Sequence, residues 1–167
     1  FLQATPEGEA ALVARVCDIL CGASRVVDLF SGCGTFTFPA AATAPVHAVD
    51  GDRDLIAALD AGARQATGLK RISASVRDLF REPLDAGELA AYDAAIIDPP
   101  RAGATAQVAE IADSSLRRIA FVSCDPGTFA RDAATLVAAG WRMGGVMVVD
   151  QFRWSPHIEL VTSFEKP

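Results

Sequence analysis

Residues 25–36 read Arg-Val-Val-Asp-Leu-Phe-Ser-Gly-Cys-Gly-Thr-Phe, and this stretch decides the fold. Its first half is a short apolar run typical of a buried strand, and its second half is a glycine-rich turn. Gly32 and Gly34 let the backbone turn sharply and approach a ligand with no Cβ in the way. The amides of a helix that follows such a turn can face a polar or anionic group. A strand, a tight turn and a helix in this order predict the first unit of a doubly wound α/β sheet.

The rest of the chain continues this alternation. Helical spacing of apolar residues covers 7–21, 35–42, 53–66, 107–115 and 128–139, and strand patterns cover 25–30, 46–49, 72–76, 92–97, 118–122, 146–149 and 158–164. The last two strands follow each other without a helix between them. Five strand–helix steps and a final hairpin-like pair predict a Rossmann-like α/β fold. We expect a seven-stranded, mostly parallel sheet with helices on both faces.

Length and charge limit the classes of protein to consider. The 167 residues fit one domain, which we predict over residues 1–167. The first residue is not a methionine, so we interpret the chain as part of a longer parent. A formal net charge of −6 lacks the basic footprint of a free-standing nucleic-acid binder. Either the chain does not contact nucleic acid, or the main binding surface lies in another part of the parent.

The sequence also predicts where the protein is located. We find no signal peptide and no apolar run near the roughly 20 residues that cross a bilayer, so we expect a cytoplasmic protein without membrane contact.

The four cysteines do not have the spacing of a zinc site, and we expect no metal in this chain. Cys17 and Cys21 lie one helical turn apart, where an apolar helix face is expected to bury them. A reducing compartment makes disulfides unexpected.

Acidic residues follow the early strands, where ligands of open α/β sheets bind. Asp50 ends the second strand, 22 residues after Asp28. An acid at this place accepts hydrogen bonds from ribose hydroxyls, so the Gly-x-Gly turn and Asp50 together indicate a nucleoside cofactor. Asp78 follows the third strand. It is either a partner of an adenine amino group or an ordinary solvated turn or helix cap.

Later strands end in residues that could bind a ligand or take part in catalysis. Asp98 ends an apolar strand and precedes two prolines, which have a fixed φ and no N–H and so form a rigid corner. Cys124 ends a central strand, where a thiolate is placed for nucleophilic attack on a substrate. Glu159 and His157 lie at the start of the last strand with the same side-chain parity, and either suits proton transfer.

These motifs resemble those of the S-adenosylmethionine-dependent RNA uridine-5-methyltransferases. Residues 28–39, Asp-Leu-Phe-Ser-Gly-Cys-Gly-Thr-Phe-Thr-Phe-Pro, are similar to the family's glycine-rich turn. Asp-Pro-Pro-Arg-Ala-Gly at 98–103, Val-Ser-Cys-Asp-Pro at 122–126 and His-Ile-Glu-Leu-Val at 157–161 follow in the family's order. The opening Phe-Leu-Gln is similar to the segment that precedes the family's catalytic domain. The resemblance covers the whole chain and implies a class I methyltransferase fold.

The resemblance also implies an activity, a cofactor and partners. The expected reaction is methyl transfer from S-adenosylmethionine to carbon 5 of uridine in rRNA or tRNA, through a covalent bond from cysteine to carbon 6. Cys124 falls on the family's nucleophile and Glu159 on its general base. The positions that match cofactor contacts are Gln3, Phe30, Gly32, Thr35, Asp50, Asp78 and Asp98. Members bind RNA mainly through N-terminal regions, some of which hold a 4Fe-4S cluster, and we expect a monomer.

Departures from the family's pattern and rival functions leave alternatives open. Thr35 stands where members often have Asn, Asp50 is a shortened Glu, and Asp125 replaces the common Asn and is expected to raise the pKa of Cys124. A cytosine-5 RNA methyltransferase uses the same thiol addition, although its cysteine normally follows Thr or Pro. An amino-group methyltransferase would need an aromatic residue at Arg101. A third alternative is a non-catalytic module that binds cofactor and RNA.

Overall fold

Helices and strands alternate along the chain, as the apolar patterns predict. The computed structural model describes residues 5–150 and 158–166. The helices are α1 (Pro6–Ile19), α2 (Thr37–Ala40), α3 (Arg53–Gln65), α4 (Ala86–Leu89), α5 (Thr105–Asp113) and α6 (Pro126–Ala138). The strands are β1 (Val26–Leu29), β2 (Val46–Asp50), β3 (Ile72–Val76), β4 (Ala94–Ile97), β5 (Arg118–Ser123), β6 (Arg142–Met143), β7 (Met147–Val149) and β8 (Glu159–Glu165).

One sheet holds all of these strands, in the order β3-β2-β1-β4-β5-β8-β6, and β7 also pairs with β8. Strands β1 to β5 run parallel, whereas β8 is antiparallel to β5, β6 and β7. Since β6 and β7 share one side of β8, the sheet has seven strand positions. The predicted Rossmann-like, seven-stranded and mostly parallel architecture is confirmed. Chain order reverses between β1 and β4, which is where ligands of such sheets bind.

Two apolar layers cover the sheet, because successive strand residues point to opposite faces. Val26 of β1 packs in one core cluster with Leu12 and Val16 of α1. The next residue, Val27, packs in the other cluster with Val108 of α5. The central strands are therefore buried on both faces, which explains their continuous apolar runs.

The helix predicted over residues 35–42 is shorter than predicted, by two residues at each end. Only Thr37–Ala40 is α-helical, and turns flank it on either side. Gly34 before it has a φ of +102°, and Pro39 within it has no N–H to donate to the helix. The one-turn helix α4 and the two-residue strand β6 were not predicted, since neither is long enough to show a period. The other boundaries differ from the predicted ones by at most two residues.

The described helices and cysteines bear on two of the expectations. No helix among the described residues has the length and apolarity to cross a membrane. Cys17 is half-buried, but Cys21 is exposed, so the expectation that an apolar helix face buries both is wrong for Cys21. The reason is that α1 ends at Ile19, before it reaches Cys21.

Candidate active site

A cavity of about 400 Å³ lies at the edge of the sheet where the parallel strands end. It is bounded by the turn after β1, the ends of β2, β4 and β5, the segment after β3 and the start of β8. Eight of the nine predicted site residues line it: Phe30, Gly32, Thr35, Asp50, Asp78, Asp98, Cys124 and Glu159. The ninth, Gln3, lies outside the described residues, as does His157. The sequence therefore predicted one continuous site from residues far apart in the chain.

The floor of one half of the cavity is the turn after β1, held in place by Asp50. Phe30 and Gly32 both have positive φ values, 62° and 56°, so the chain reverses direction within three residues. Asp50 Oδ2 accepts the Gly32 N–H at 2.8 Å, and its Oδ1 accepts the Asp52 N–H at 2.8 Å. Each carboxylate oxygen can accept a second hydrogen bond. Asp50 thus ties the turn to β2 and still presents acceptors to a ligand.

An apolar wall stands beside Asp78. The rings of Phe30 and Phe80 lie 5.4 Å apart between centroids, and Phe80 is 49% exposed at the cavity rim. Asp78 Oδ1 accepts the Phe80 N–H at 3.0 Å, so the carboxylate both caps this turn and lines the cavity. The bond to Phe80 fits the interpretation of Asp78 as a turn cap, and its contact with an adenine amino group stays a prediction. Aromatic rings with a carboxylate at their margin suit a flat heteroaromatic ring that carries an amino group.

Cys124 and Glu159 lie side by side in the other half of the cavity because of the register between β5 and β8. The last pair in this antiparallel ladder is Ser123 with Leu160. Cys124 is the first residue after β5 and Glu159 is the first residue of β8, and both line the cavity. The register brings a thiol and a carboxyl group to one point, although 35 residues separate them in sequence.

Burial and crowding raise the pKa values of the acids at this edge. Burial raises the pKa of Glu159 to about 7, opposed by the positive charge of Arg101. Burial and then Glu159 and Asp28 raise the pKa of Asp98 to about 8. Burial, against the hydrogen bond from Thr37, raises the pKa of Asp28 to about 7. Asp98 and Glu159 line the cavity, and a cation bound there would favour the ionised form of both carboxyl groups.

The pKa of the Cys124 thiol is also raised. Burial is the largest cause, followed by the charges of Glu159 and Asp98, and Arg101 acts in the opposite direction. Asp125, which the sequence predicted to raise this pKa, uses its carboxylate to cap α6 by accepting the N–H groups of Gly127 and Thr128 at 2.9 Å. Arg101 is therefore the cationic side chain that favours the Cys124 thiolate.

Unpaired polar atoms gather at the same edge. Of the buried side-chain oxygens and nitrogens among the described residues, four have no hydrogen-bond partner: Asp28 Oδ1, Ser31 Oγ, Glu159 Oε1 and Trp141 Nε1. Ser31 and Glu159 line the cavity, Asp28 lies within β1, and Glu159 is only 1% exposed. Leaving a buried polar atom unpaired costs about 1–3 kcal/mol, so this arrangement is typical of a site that a ligand completes. The described residues contain no cluster with a metal-binding arrangement.

Comparison with known families assigns the chain to one of them. Residues 64–166 match the family described as tRNA (uracil-5-)-methyltransferase. The chain belongs to this family. An RNA methyltransferase of Rhizobium meliloti, itself uncharacterised, is 51% identical over 166 residues, which are 99% of this chain and 40% of that protein. The 23S rRNA (uracil(1939)-C(5))-methyltransferase of Chromohalobacter salexigens is 38% identical over 95% of this chain and 33% of its own length.

A solved structure has the same fold. The tRNA (uracil-54, C5)-methyltransferase of Pyrococcus abyssi, in complex with S-adenosyl-L-homocysteine, superposes with a TM-score of 0.84 at 27% identity. The alignment covers 98% of this chain and 40% of that one. This chain of the uracil-5-methyltransferase family thus spans about 40% of the length of the first relatives it matches.

Sequence reasoning missed several residues of this uracil-5-methyltransferase site. Arg101, Phe80 and Cys33 line the cavity but were not predicted as site residues. Arg101 sits within the Asp-Pro-Pro-Arg-Ala-Gly motif, so its place in the motif was an available signal. Phe80 had a weaker one, as an aromatic residue two positions after a strand-end acid. Ser31 had none, because serine is common in turns.

The raised pKa of Asp98 predicts a specific dependence of stability on pH. The usual pKa of an unfolded Asp is about 3.9, so between about pH 4 and pH 8 the folded protein holds a proton that the unfolded chain releases. The stabilisation is complete below pH 4 and is lost as the pH rises through about 8. We expect the free energy of unfolding to fall with pH in this window, by up to about 1.4 kcal/mol per pH unit for one carboxyl.

Urea denaturation at a series of pH values measures this slope. Asp98→Asn should reduce it by the contribution of one carboxyl, because Asp28 and Glu159, with pKa values of about 7, keep their own contributions. Asp125→Asn should leave the slope unchanged above pH 5, because the hydrogen bonds from Thr128 and Gly127 hold the pKa of Asp125 below its usual value. Equal slopes for Asp98→Asn and the wild type would contradict the assignment of a retained proton to Asp98.

Proposed function

We propose that this chain transfers a methyl group from S-adenosylmethionine to carbon 5 of a uridine in RNA, through a covalent bond between Cys124 and carbon 6. The observation that carries the proposal is that Cys124, directly after β5, and Glu159, at the start of β8, line the same cavity. Membership of the uracil-5-methyltransferase family supports the reaction class. The names of the Chromohalobacter and Pyrococcus relatives specify carbon 5 of uracil.

The residues of the cavity fit S-adenosylmethionine. Asp50 would accept hydrogen bonds from the ribose hydroxyls, and Asp78 would accept one from the adenine amino group beside the wall of Phe30 and Phe80. Asp98, a buried acid that lines the cavity, suits the positive charge of the methionine portion. Gly32 and Thr35 line the same turn, and Gln3 remains a predicted contact. When bound, this cofactor supplies an electrophilic methyl group on a sulfonium.

The two reactive side chains would then act in sequence. The charge of Arg101 opposes the effects that raise the pKa of the Cys124 thiol and so favours its thiolate, and a bound sulfonium would act in the same direction. The thiolate adds to carbon 6 of uracil, and the electrons of the carbon 5–carbon 6 double bond form an enolate with carbon 5 as its nucleophilic end. After carbon 5 has taken the methyl group, Glu159 removes its proton. The double bond re-forms, the Sγ–carbon 6 bond breaks, and the thiolate is returned.

The acidity of Glu159 suits the last step. Its pKa of about 7 makes it a stronger base than an ordinary carboxylate while it still ionises near neutral pH. Its Oε1 makes no hydrogen bond within the described part of the chain, so it is free to receive a proton. A general base with these two properties is the group that the proposed elimination requires.

RNA recognition is proposed to rest mainly outside residues 1–167. The net charge is −6, and the target base has to leave its stack to reach Cys124, which takes a binding surface larger than this cavity. We also propose that the protein acts in the cytoplasm. In a filter-binding assay, the full-length protein should bind RNA at least 10-fold more tightly than residues 1–167. Equal affinities would contradict this proposal.

The role of Asp50 gives a prediction for cofactor binding. Asp50→Ala removes the acceptors proposed for the ribose and the bond that holds Gly32, so the dissociation constant for S-adenosylmethionine should rise roughly 10- to 100-fold, as for loss of one or two charge-assisted hydrogen bonds. Isothermal titration calorimetry measures it. The matched control is Asp52→Ala, since Asp52 caps α3 and does not line the cavity. Similar affinities in both variants would contradict the assigned role of Asp50.

The reaction itself is tested in cells of the source organism. Replacing the gene by one that carries Cys124→Ala should abolish its 5-methyluridine in digested total RNA, as quantified by mass spectrometry. Cys21→Ala is the control, because Cys21 is exposed and outside the cavity. Loss of 5-methylcytidine with unchanged 5-methyluridine would show a cytosine-5 enzyme instead. No change in any methylated nucleoside would favour a non-catalytic module.

A further inference from the structure

The helix that starts beside Cys124 also holds the loop that carries Arg101. Helix α6 begins at Pro126, and Asp125 caps it. Two turns along, Arg131 and Asp132 contact the loop over residues 99–104, which connects β4 to α5. This loop includes Arg101 at the cavity, whereas Asp132 does not line the cavity. One helix therefore connects the thiol and the cation that favours its ionisation.

Asp132 is a buried carboxylate that caps a helix other than its own. It is 1% exposed, and its Oδ2 accepts the N–H of Ala104 at 2.7 Å. Ala104 is the N-cap of α5 and has no side-chain oxygen to accept an amide of that helix. Thr105 Oγ1 lies 3.4 Å from Asp132 Oδ1. A carboxylate at this place satisfies an amide at the start of α5 and stabilises the positive end of its dipole.

Arg131 ties the same carboxylate to the loop. Its Nε donates to Asp132 Oδ1 at 3.0 Å, and its Nη2 donates to the carbonyl of Ala102 at 3.0 Å. Gly103 between these contacts has a φ of +77°, and a Cβ there would lie 2.6 Å from Asp132 Oδ2 and would also overlap the Arg131 guanidinium. The loop therefore packs on α6 as closely as a residue without a side chain allows.

We propose that Asp132, together with Arg131, is a positioning residue for the reaction: it fixes the loop so that Arg101 stays beside Cys124 and Glu159. This inference rests on the proposed function for its catalytic meaning. The charge of Arg101 opposes the effects that raise the pKa values of Cys124 and Glu159. A loop released from α6 would carry that charge away from both groups. Asp132 thus acts on the thiol without touching it.

The direction in which the pKa of Cys124 changes in Asp132→Asn separates the positioning role of Asp132 from a direct electrostatic effect on the thiol. Removing the negative charge of Asp132 would by itself lower the pKa of a nearby thiol, because less negative charge opposes the thiolate. Displacement of Arg101 has the opposite effect and raises the pKa. A raised pKa of Cys124 in Asp132→Asn therefore cannot come from the lost charge itself and indicates a displacement of the groups around the thiol.

The test is the pH dependence of iodoacetamide alkylation of Cys124 in the full-length protein, resolved by peptide mass spectrometry. We expect Asp132→Asn to shift the midpoint upward by half to one pH unit, which slows alkylation at pH 7 roughly 3- to 10-fold. The control is Asp93→Asn. Asp93 also accepts backbone amides, those of Ser24 and Arg25, but at the opposite end of β4. It should leave the midpoint unchanged.

A double-mutant cycle with Arg101→Gln completes the test. If Asp132 acts through Arg101, Asp132→Asn should cause no further upward shift in the Arg101→Gln background. Should Asp132→Asn fail to fold, Arg131→Gln replaces it in the same cycle, since it leaves the carboxylate in place. A variant that is less stable but has the wild-type midpoint would overturn the proposal and leave Asp132 with a purely structural role.

The outcome is independent of whether the proposed reaction is right. Alkylation reports on the thiol alone and needs neither RNA nor cofactor. If Cys124→Ala cells keep their 5-methyluridine, the proposed function fails while the alkylation result stands. If both hold, Asp132→Asn should lower kcat for RNA methylation and leave KM for S-adenosylmethionine within twofold, because none of the proposed cofactor contacts is changed.

Discussion

The register of β8 against β5 is the constraint on which the site depends. In a sheet made only of parallel strands, each strand would bring its last residues to the ligand edge. Strand β8 is antiparallel to β5, so its first residue, Glu159, arrives there instead. A slip of one residue in this ladder would turn Glu159 to the opposite face of the sheet and separate it from Cys124. The apolar residues Val161 and Phe164 oppose such a slip, since they are fully buried on opposite sides of β8.

Three buried acidic groups lie at or near the same edge of the sheet. Asp28, Asp98 and Glu159 all have raised pKa values, and buried oxygens of Asp28 and Glu159 have no partner in the described chain. Such groups reduce stability, and proteins retain them mainly at functional sites. The surrounding core, buried on both faces of the sheet, supplies the stability that makes the arrangement tolerable. S-adenosylmethionine fits this edge, because its sulfonium carries a positive charge next to the methyl group.

Much of the fold and site was predictable from sequence, for a physical reason. The strands are apolar runs that stop abruptly at a polar residue, so the pattern of apolar and polar residues alone assigns Asp50, Asp98 and Cys124 to the ligand edge. The motif resemblance supplied the proposals that Glu159 is the general base and that the reaction is methyl transfer to uridine. The lengths of α2 and α4 were not predictable, because a single turn leaves too few residues to show a period and because Pro39 shortens α2.

Contacts between secondary-structure elements could not be predicted from the sequence. Asp132 looks like an ordinary acid on the surface of a helix, and only the packing of α5 against α6 shows that its carboxylate caps Ala104. Phe80 and Ser31 reach the cavity through loop conformations that no periodicity specifies. Residues whose importance comes from a neighbouring element are therefore the ones that sequence reasoning misses.

Trapping the covalent intermediate tests the central claim most directly. In RNA that contains 5-fluorouridine, carbon 5 carries fluorine, which Glu159 cannot remove as a proton, so elimination of the thiolate is blocked. Incubation of the full-length protein with this RNA and S-adenosylmethionine, followed by protease and nuclease digestion, should give one modified peptide. The account predicts methylated 5-fluorouridine monophosphate bound to Cys124. A stable adduct on another residue, or methyl transfer to RNA without any adduct, would contradict it.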